Sequence, residues 1–128
     1  MTVERQLVSE AVKQALSSEM AYKHGAVIWK NNTKEVVATG FNKIVTKERR
    51  YRNGLKSYSL HAEINAILKA VKRLRTTDLS NYNIVVVRKA KTKLSNSKPC
   101  KHCMALIRET KIKNVYYSTK EDKIKQLK

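Results

Sequence analysis

Apolar and polar positions alternate along this chain in two different periods. From Thr2 to Ser17, the residues Val3, Leu7, Val12, Ala15 and Leu16 recur at spacings that give a helix one broad apolar side. Two β-rich runs follow, Gly25 to Lys30 and Glu35 to Thr39, joined by Asn31-Asn32-Thr33-Lys34, whose composition predicts a hairpin. The helical period returns at Ile64, Ile67, Leu68, Val71 and Leu74 and predicts an amphipathic helix over His61 to Arg75. A strand is predicted over Asn83 to Val87, where the unbroken Val85-Val86-Val87 marks a central strand buried on both faces. A helix opening at Pro99 and Cys100, a strand at Asn114 to Tyr117 and a short Lys-rich helix complete the chain. Pro99, the only proline, suits a first helical position because its missing N–H costs nothing there.

The order α-β-β-α-β-α-β places the chain in the α/β class, with a mixed sheet covered by helices on both faces. Ligand sites of open α/β sheets lie beyond the strand ends, where helices begin. At 128 residues and 41% hydrophobic, with no linker, repeat or low-complexity segment, residues 1–128 are expected to form a single domain.

Two short motifs carry chemistry, and both sit where helices are predicted to open. Cys100 and Cys103 are three residues apart, a spacing that brings both sulfurs to one helix face. The helix N-terminus, Lys98 and Lys101 favour the thiolate form that metals bind. His61 and Glu63 share the first turn of the earlier helix but point in different directions, so imidazole can ligate while carboxylate faces a substrate. Three ligands, His61, Cys100 and Cys103, plus a carboxylate that is not a ligand suit a zinc site with an open position for water. Two other readings use the same residues: a closed structural zinc with His24 or His102 as fourth ligand, and a thioredoxin-like dithiol. His102 lies between the cysteines and is expected to point away from their shared face.

His61-Ala62-Glu63 with Pro99-Cys100-Lys101-His102-Cys103 resembles the signature of the zinc-dependent nucleobase and nucleoside deaminases. The wider runs His61 to Ile67 and Ile112 to Tyr117 look most like the deoxycytidylate group, and Gly25-Ala26-Val27-Ile28 with Gly40-Phe41-Asn42 is similar to the superfamily's early hairpin. The likeness covers roughly residues 22 to 118. It implies a three-layer α/β/α cytidine-deaminase-like fold, one catalytic Zn²⁺ per chain, Glu63 as proton shuttle and a homo-oligomer. It further implies that Asn42 bonds the sugar hydroxyl and that the Ala62 backbone N–H meets the base carbonyl. Asn96 departs from the threonine common in relatives, and Lys43 to Leu60 matches no triphosphate-regulated pattern.

Charge changes the picture of the substrate. Twenty-eight Lys and Arg against ten Asp and Glu leave +18, which attracts polyanions. Lys43, Lys47, Arg49, Arg50, Arg52 and Lys56 precede His61, while Arg88, Lys89, Lys91, Lys93 and Lys98 precede Cys100. Both segments are expected to border the metal, with Arg49, Arg50, Arg52 and Arg88 as candidate contacts for phosphate or nucleic acid and Tyr51 and Tyr58 available for stacking. The leading expectation is deamination of a cytosine nucleotide, a deoxymonophosphate in the first place. The second is a deaminase acting on cytosine or adenine in single-stranded DNA or RNA, tRNA included. A non-catalytic, zinc-stabilised nucleic-acid-binding protein is the third. The segment Met1 to Leu16 carries Glu4, Arg5, Glu10 and Lys13 in place of a signal peptide's apolar block, and both cysteines belong to one motif. An intracellular, reducing compartment without a membrane partner is therefore expected.

Overall fold

The computed structural model describes residues 3–46 and 57–127. Its elements in chain order are α1 (Arg5–Leu16), β1 (Lys23–Lys30), β2 (Val36–Phe41), β3 (Lys43–Thr46), β4 (Ser57–Leu60), α2 (Ala62–Leu74), β5 (Tyr82–Lys89), β6 (Leu94–Ser95), α3 (Lys101–Thr110), β7 (Asn114–Ser118) and β8 (Ile124–Gln126). The main sheet has the order β2-β1-β5-β7-β8, with β6 added to β5, and β3 pairs with β4 in a separate ribbon. β5 and β7 run parallel, while β1–β2, β1–β5 and β7–β8 are antiparallel. The sheet is thus mixed, as expected.

The central strands bury both faces, and their residues divide by parity. Ala26, Ile28, Ile84 and Val86 join Ala62, Ala66, Ile67 and Ala70 of α2 and Ile107 of α3 in one core. Val27, Trp29, Val85 and Val87 face the other way and join Leu7, Ala11 and Ala15 of α1. Helices therefore cover both sheet faces, α1 on one and α2 with α3 on the other.

The large aliphatic residues outline these helix faces only in part: Leu7 and Ile67 are buried and Val71 and Leu74 pack against the core, but two expected members lie outside. Leu16 and Leu68 are 60% and 53% exposed, whereas Ala11, Ala15, Ala62, Ala66 and Ala70 are wholly buried. The cause is close approach. A Cβ on Gly25 would lie 2.0 Å from the Ala11 carbonyl oxygen and 2.5 Å from the Ala15 nitrogen. One on Gly40 would lie 2.6 Å from the Ala66 nitrogen and 2.8 Å from the Ala62 carbonyl oxygen. Each helix lies backbone to backbone on a strand, and only small residues fit that gap. Asn65 and Arg73 fasten α2 to β2 by donating to the Phe41 and Val37 carbonyls, each at 3.0 Å.

Two expectations need correction, and one feature was not foreseen. The closing Lys-rich segment is the strand β8, because β7 offers a free edge and Asp122, at φ 63°, turns the chain back onto it. Helix α3 begins at Lys101 with Cys100 as N-cap, so Pro99 precedes the helix and does not occupy its first turn. The stretch from Lys43 to Leu60 contains paired strands, β3 and β4, which its charge-rich sequence did not suggest.

Gly40→Ala is expected to cost about 1–3 kcal/mol in a urea melt, the range for overpacking a tight contact, and to loosen zinc by displacing the start of α2. Gly25→Ala should destabilise through α1 while disturbing zinc less. Equal zinc loss in the two variants would contradict this division.

Candidate active site

Two helix N-termini meet at the edge of the sheet where β5 and β7 end, and each brings its N-cap residue to the meeting point. His61 caps α2 with extended backbone (φ −70°, ψ 150°), and Cys100 caps α3 similarly (φ −74°, ψ 171°). Cys103 stands three residues inside α3. N-cap and third-residue side chains converge over a helix opening, as in a capping box, so the C-x-x-C spacing serves here even though Cys100 itself is not helical.

His61 Nδ1 lies 3.1 Å from Cys103 Sγ and 3.7 Å from Cys100 Sγ. Bond lengths of about 2.0–2.1 Å to imidazole and about 2.3 Å to thiolate give tetrahedral edges of about 3.5–3.8 Å. The donor atoms of His61, Cys100 and Cys103 all lie within 4.8 Å of one another, and these three form the metal-binding group found among the described residues. Two thiolates and a neutral imidazole suit Zn²⁺ in charge and softness, and three protein ligands leave a fourth position, as in catalytic sites. His102 is exposed, as expected, and neither it nor His24 belongs to the group. Cys103 is fully buried; burial first, then the Glu63 and Cys100 charges, pushes its thiol pKa well up. A bound divalent cation reverses that preference and holds the sulfur as thiolate.

Glu63, in the first turn of α2, is 5% exposed and lines a cavity of about 260 Å³ together with His61, Ala62, Cys100, Asn42 and Ser97. Burial raises its carboxyl pKa above the ordinary value, against opposing contacts from its own backbone N–H and from Cys103 and the charge of His61. Ala62 lies at the cavity floor, and as the first residue of α2 its N–H has no intrahelical partner. Asn42 is also in the lining, where its side chain brackets the opposite wall: Oδ1 accepts from the His24 N–H at 2.8 Å, and Nδ2 donates to the Tyr22 carbonyl at 2.6 Å. Both ends of the Asn42 amide are thus engaged with the backbone of Tyr22 and His24.

Met20, Tyr22 and Ser97, which the sequence pattern did not single out, line the cavity together with His24 and Lys98. Burial, with the Arg88 and His61 charges, pulls the His24 pKa down against its contact with the Tyr22 carbonyl. The Ser97 hydroxyl donates to the Val86 carbonyl at 2.7 Å and accepts from the Ser118 N–H at 2.8 Å, fixing the loop that carries Cys100. The Ser118 hydroxyl in turn donates to the Ser95 carbonyl at 2.6 Å and accepts from the Arg88 N–H at 3.0 Å. Of the expected basic rim, Lys98 lines the cavity and the Arg88 guanidinium lies 4.2 Å from the centroid of the Tyr22 ring. Lys89, Lys91 and Lys93 are not in the lining. Lys47, Arg49, Arg50, Tyr51, Arg52 and Lys56 lie outside the described residues, and Tyr58 is placed on β4.

Fold, ligand set and buried carboxylate together define a zinc-dependent hydrolase of the cytidine deaminase type. The chain belongs to the family of the cytidine and deoxycytidylate deaminase zinc-binding region, whose family model matches residues 1–119. It is 30% identical over 119 residues to the tRNA-specific adenosine deaminase of Rickettsia bellii (strain RML369-C), a match spanning 89% of this chain and 68% of that protein. In fold it is similar to guanine deaminase from Bacillus subtilis, with TM-score 0.61 and 22% identity over 92% of this chain, which spans 65% of that one. A mutant cytidine deaminase from Mycobacterium tuberculosis superposes with TM-score 0.56 and 17% identity, covering 91% of this chain and 86% of the other. Among the described residues no helix is long and apolar enough to cross a membrane.

Cys100→Ser is expected to weaken zinc binding by more than the about 10- to 100-fold that loss of an outer-shell partner costs. Elemental analysis after dialysis against a chelator checks this, and zinc content equal to wild type would remove Cys100 from the ligand set.

Proposed function

We propose that this protein hydrolytically deaminates a cytosine nucleotide, with His61, Cys100 and Cys103 holding the zinc and Glu63 moving the protons. The observation that carries the reading is Glu63: a buried carboxyl in the lining of the same cavity as His61 and Cys100, yet outside the ligand group. Zinc bound there supplies Lewis-acid activation of a water at neutral pH. Glu63 accepts a proton from the attacking water and passes it to ring N3 as C4 becomes tetrahedral. A second transfer through the same carboxyl lets the amine depart as ammonia. A raised pKa suits a group that must both take and release protons within one cycle. Asn42 and Ala62 are both in the lining and would hold sugar and base, and the hydrogen bonds of Ser97 fix the loop that carries Cys100.

A second reading keeps this chemistry and changes the substrate to a base, cytosine or adenine, within single-stranded RNA or DNA. Two observations favour it. The Rickettsia relative is named as tRNA-specific and adenosine-directed, and a net charge of +18 exceeds what one mononucleotide phosphate would call for. For adenine the reacting atoms are N1 and C6 in place of N3 and C4. Incubating the protein with dCMP, CMP, AMP and single-stranded oligonucleotides, scored for uracil and hypoxanthine, separates the readings. Product from dCMP alone would exclude the strand reading, and product only from strands would exclude the first.

Glu63→Gln retains shape and hydrogen bonding but carries no proton. It is expected to lower turnover by about 10²- to 10⁴-fold while zinc content and melting temperature stay close to wild type. A variant with near-native turnover would overturn the proton-transfer role.

A further inference from the structure

The cavity lining includes Tyr22, which with Arg88 forms a pair that the reaction itself does not use. Tyr22 is 64% exposed although its residue lines the cavity, and Arg88 is stacked against its ring, 4.2 Å from the centroid. The backbone beneath the ring is held, since the Tyr22 carbonyl accepts from Asn42 Nδ2 at 2.6 Å. An exposed aromatic ring, anchored and backed by a guanidinium, has an open surface and little orientational freedom to lose on stacking.

The charges around it are arranged in an unfavourable way for a protein alone. In the β1–β5 register Lys23 stands opposite Lys89, so two lysines face each other at the site end of the sheet, with Arg88 one position along β5. Like charges directly opposite destabilise a strand pair. Lys98 adds another cation at the cavity lining. Among the described residues the one salt bridge joins Lys34 to Glu4, remote in sequence from this cluster, and no carboxylate neutralises it by an ion pair. Uncompensated cations beside an open aromatic ring match a sugar-phosphate backbone whose bases stack on protein side chains.

We propose that Tyr22 and Arg88 form a subsite for the nucleotide adjoining the target base in a single-stranded nucleic acid. The flanking base stacks on the exposed Tyr22 surface, and Arg88 with Lys98 attracts the phosphates that join it to the target. This assignment rests on the strand reading above and gives the exposed ring beside the cavity a use.

The test is equilibrium binding of the zinc-loaded protein to a fluorescein-labelled single-stranded hexanucleotide, and to the same strand made abasic on both sides of the target base. Tyr22→Ala is expected to weaken binding of the complete strand by about 5- to 100-fold and of the abasic strand by less than about 2-fold, as loss of a base–aromatic stack requires. Tyr22→Trp should retain most of the affinity. Arg88→Gln should flatten the slope of log K against log salt by about 0.7. Equal weakening on both strands, no weakening on either, or a wild-type protein that binds the strand no better than a mononucleotide would overturn the subsite. The ratio of kcat/KM for strand over mononucleotide should fall with Tyr22→Ala in parallel. Absence of any deamination with this binding pattern intact would instead refute the proposed reaction and leave the platform standing.

Discussion

Everything at the site depends on one encounter: the N-cap of α2 must come within an ion's span of the opening of α3. His61 is separated from Cys100 by 39 residues and from Cys103 by 42, yet its Nδ1 lies 3.7 and 3.1 Å from their sulfurs. No local preference can bring this about. It is achieved because α2 lies directly on β2 through Gly40 and the alanine row, while α3 is returned to the same sheet edge by the parallel β5–β7 crossover. A shift of about 1 Å in either helix would leave three donors that cannot share one ion.

The two helix openings do more than deliver ligands. Their unpaired N–H groups place a donor, that of Ala62, at the cavity. Burial raises the pKa of the Cys103 thiol and of the Glu63 carboxyl. A bound divalent cation would hold the sulfur as thiolate, while Glu63 stands beside the ligand group without belonging to it.

The serine pair Ser97 and Ser118 has a quieter part. Both are almost wholly buried, and their hydrogen bonds tie the loop before Pro99 to the ends of β5 and β7. The loop carries Cys100 as well as Lys98, so the same contacts set the position of a metal ligand and of a cation at the cavity lining. Placing a ligand on an N-cap, outside the regular helix, makes such support necessary, since helical hydrogen bonding does not fix it.

The sequence by itself pointed to the His-Cys-Cys group, the neighbouring carboxylate, the α/β class and the central strand, because each depends on local pattern: a spacing of three from Cys100 to Cys103, a spacing of two from His61 to Glu63, an unbroken apolar run in β5. It outlined the helix faces largely correctly but counted in Leu16 and Leu68, which are exposed. Alanine carries little hydrophobic signal, and its value here is the close approach it permits over Gly25 and Gly40. The closing strand β8 escaped notice because its Lys-rich residues have no strong preference of their own and follow the free edge of β7. Tyr22, His24, Met20 and Ser97 came to the cavity only through strand register and chain reversal, which depend on contacts distant in sequence. Chemistry could be recognised from neighbours in the chain; the shape of the cavity and the platform at its rim arise from neighbours in space, and only tertiary packing decides those.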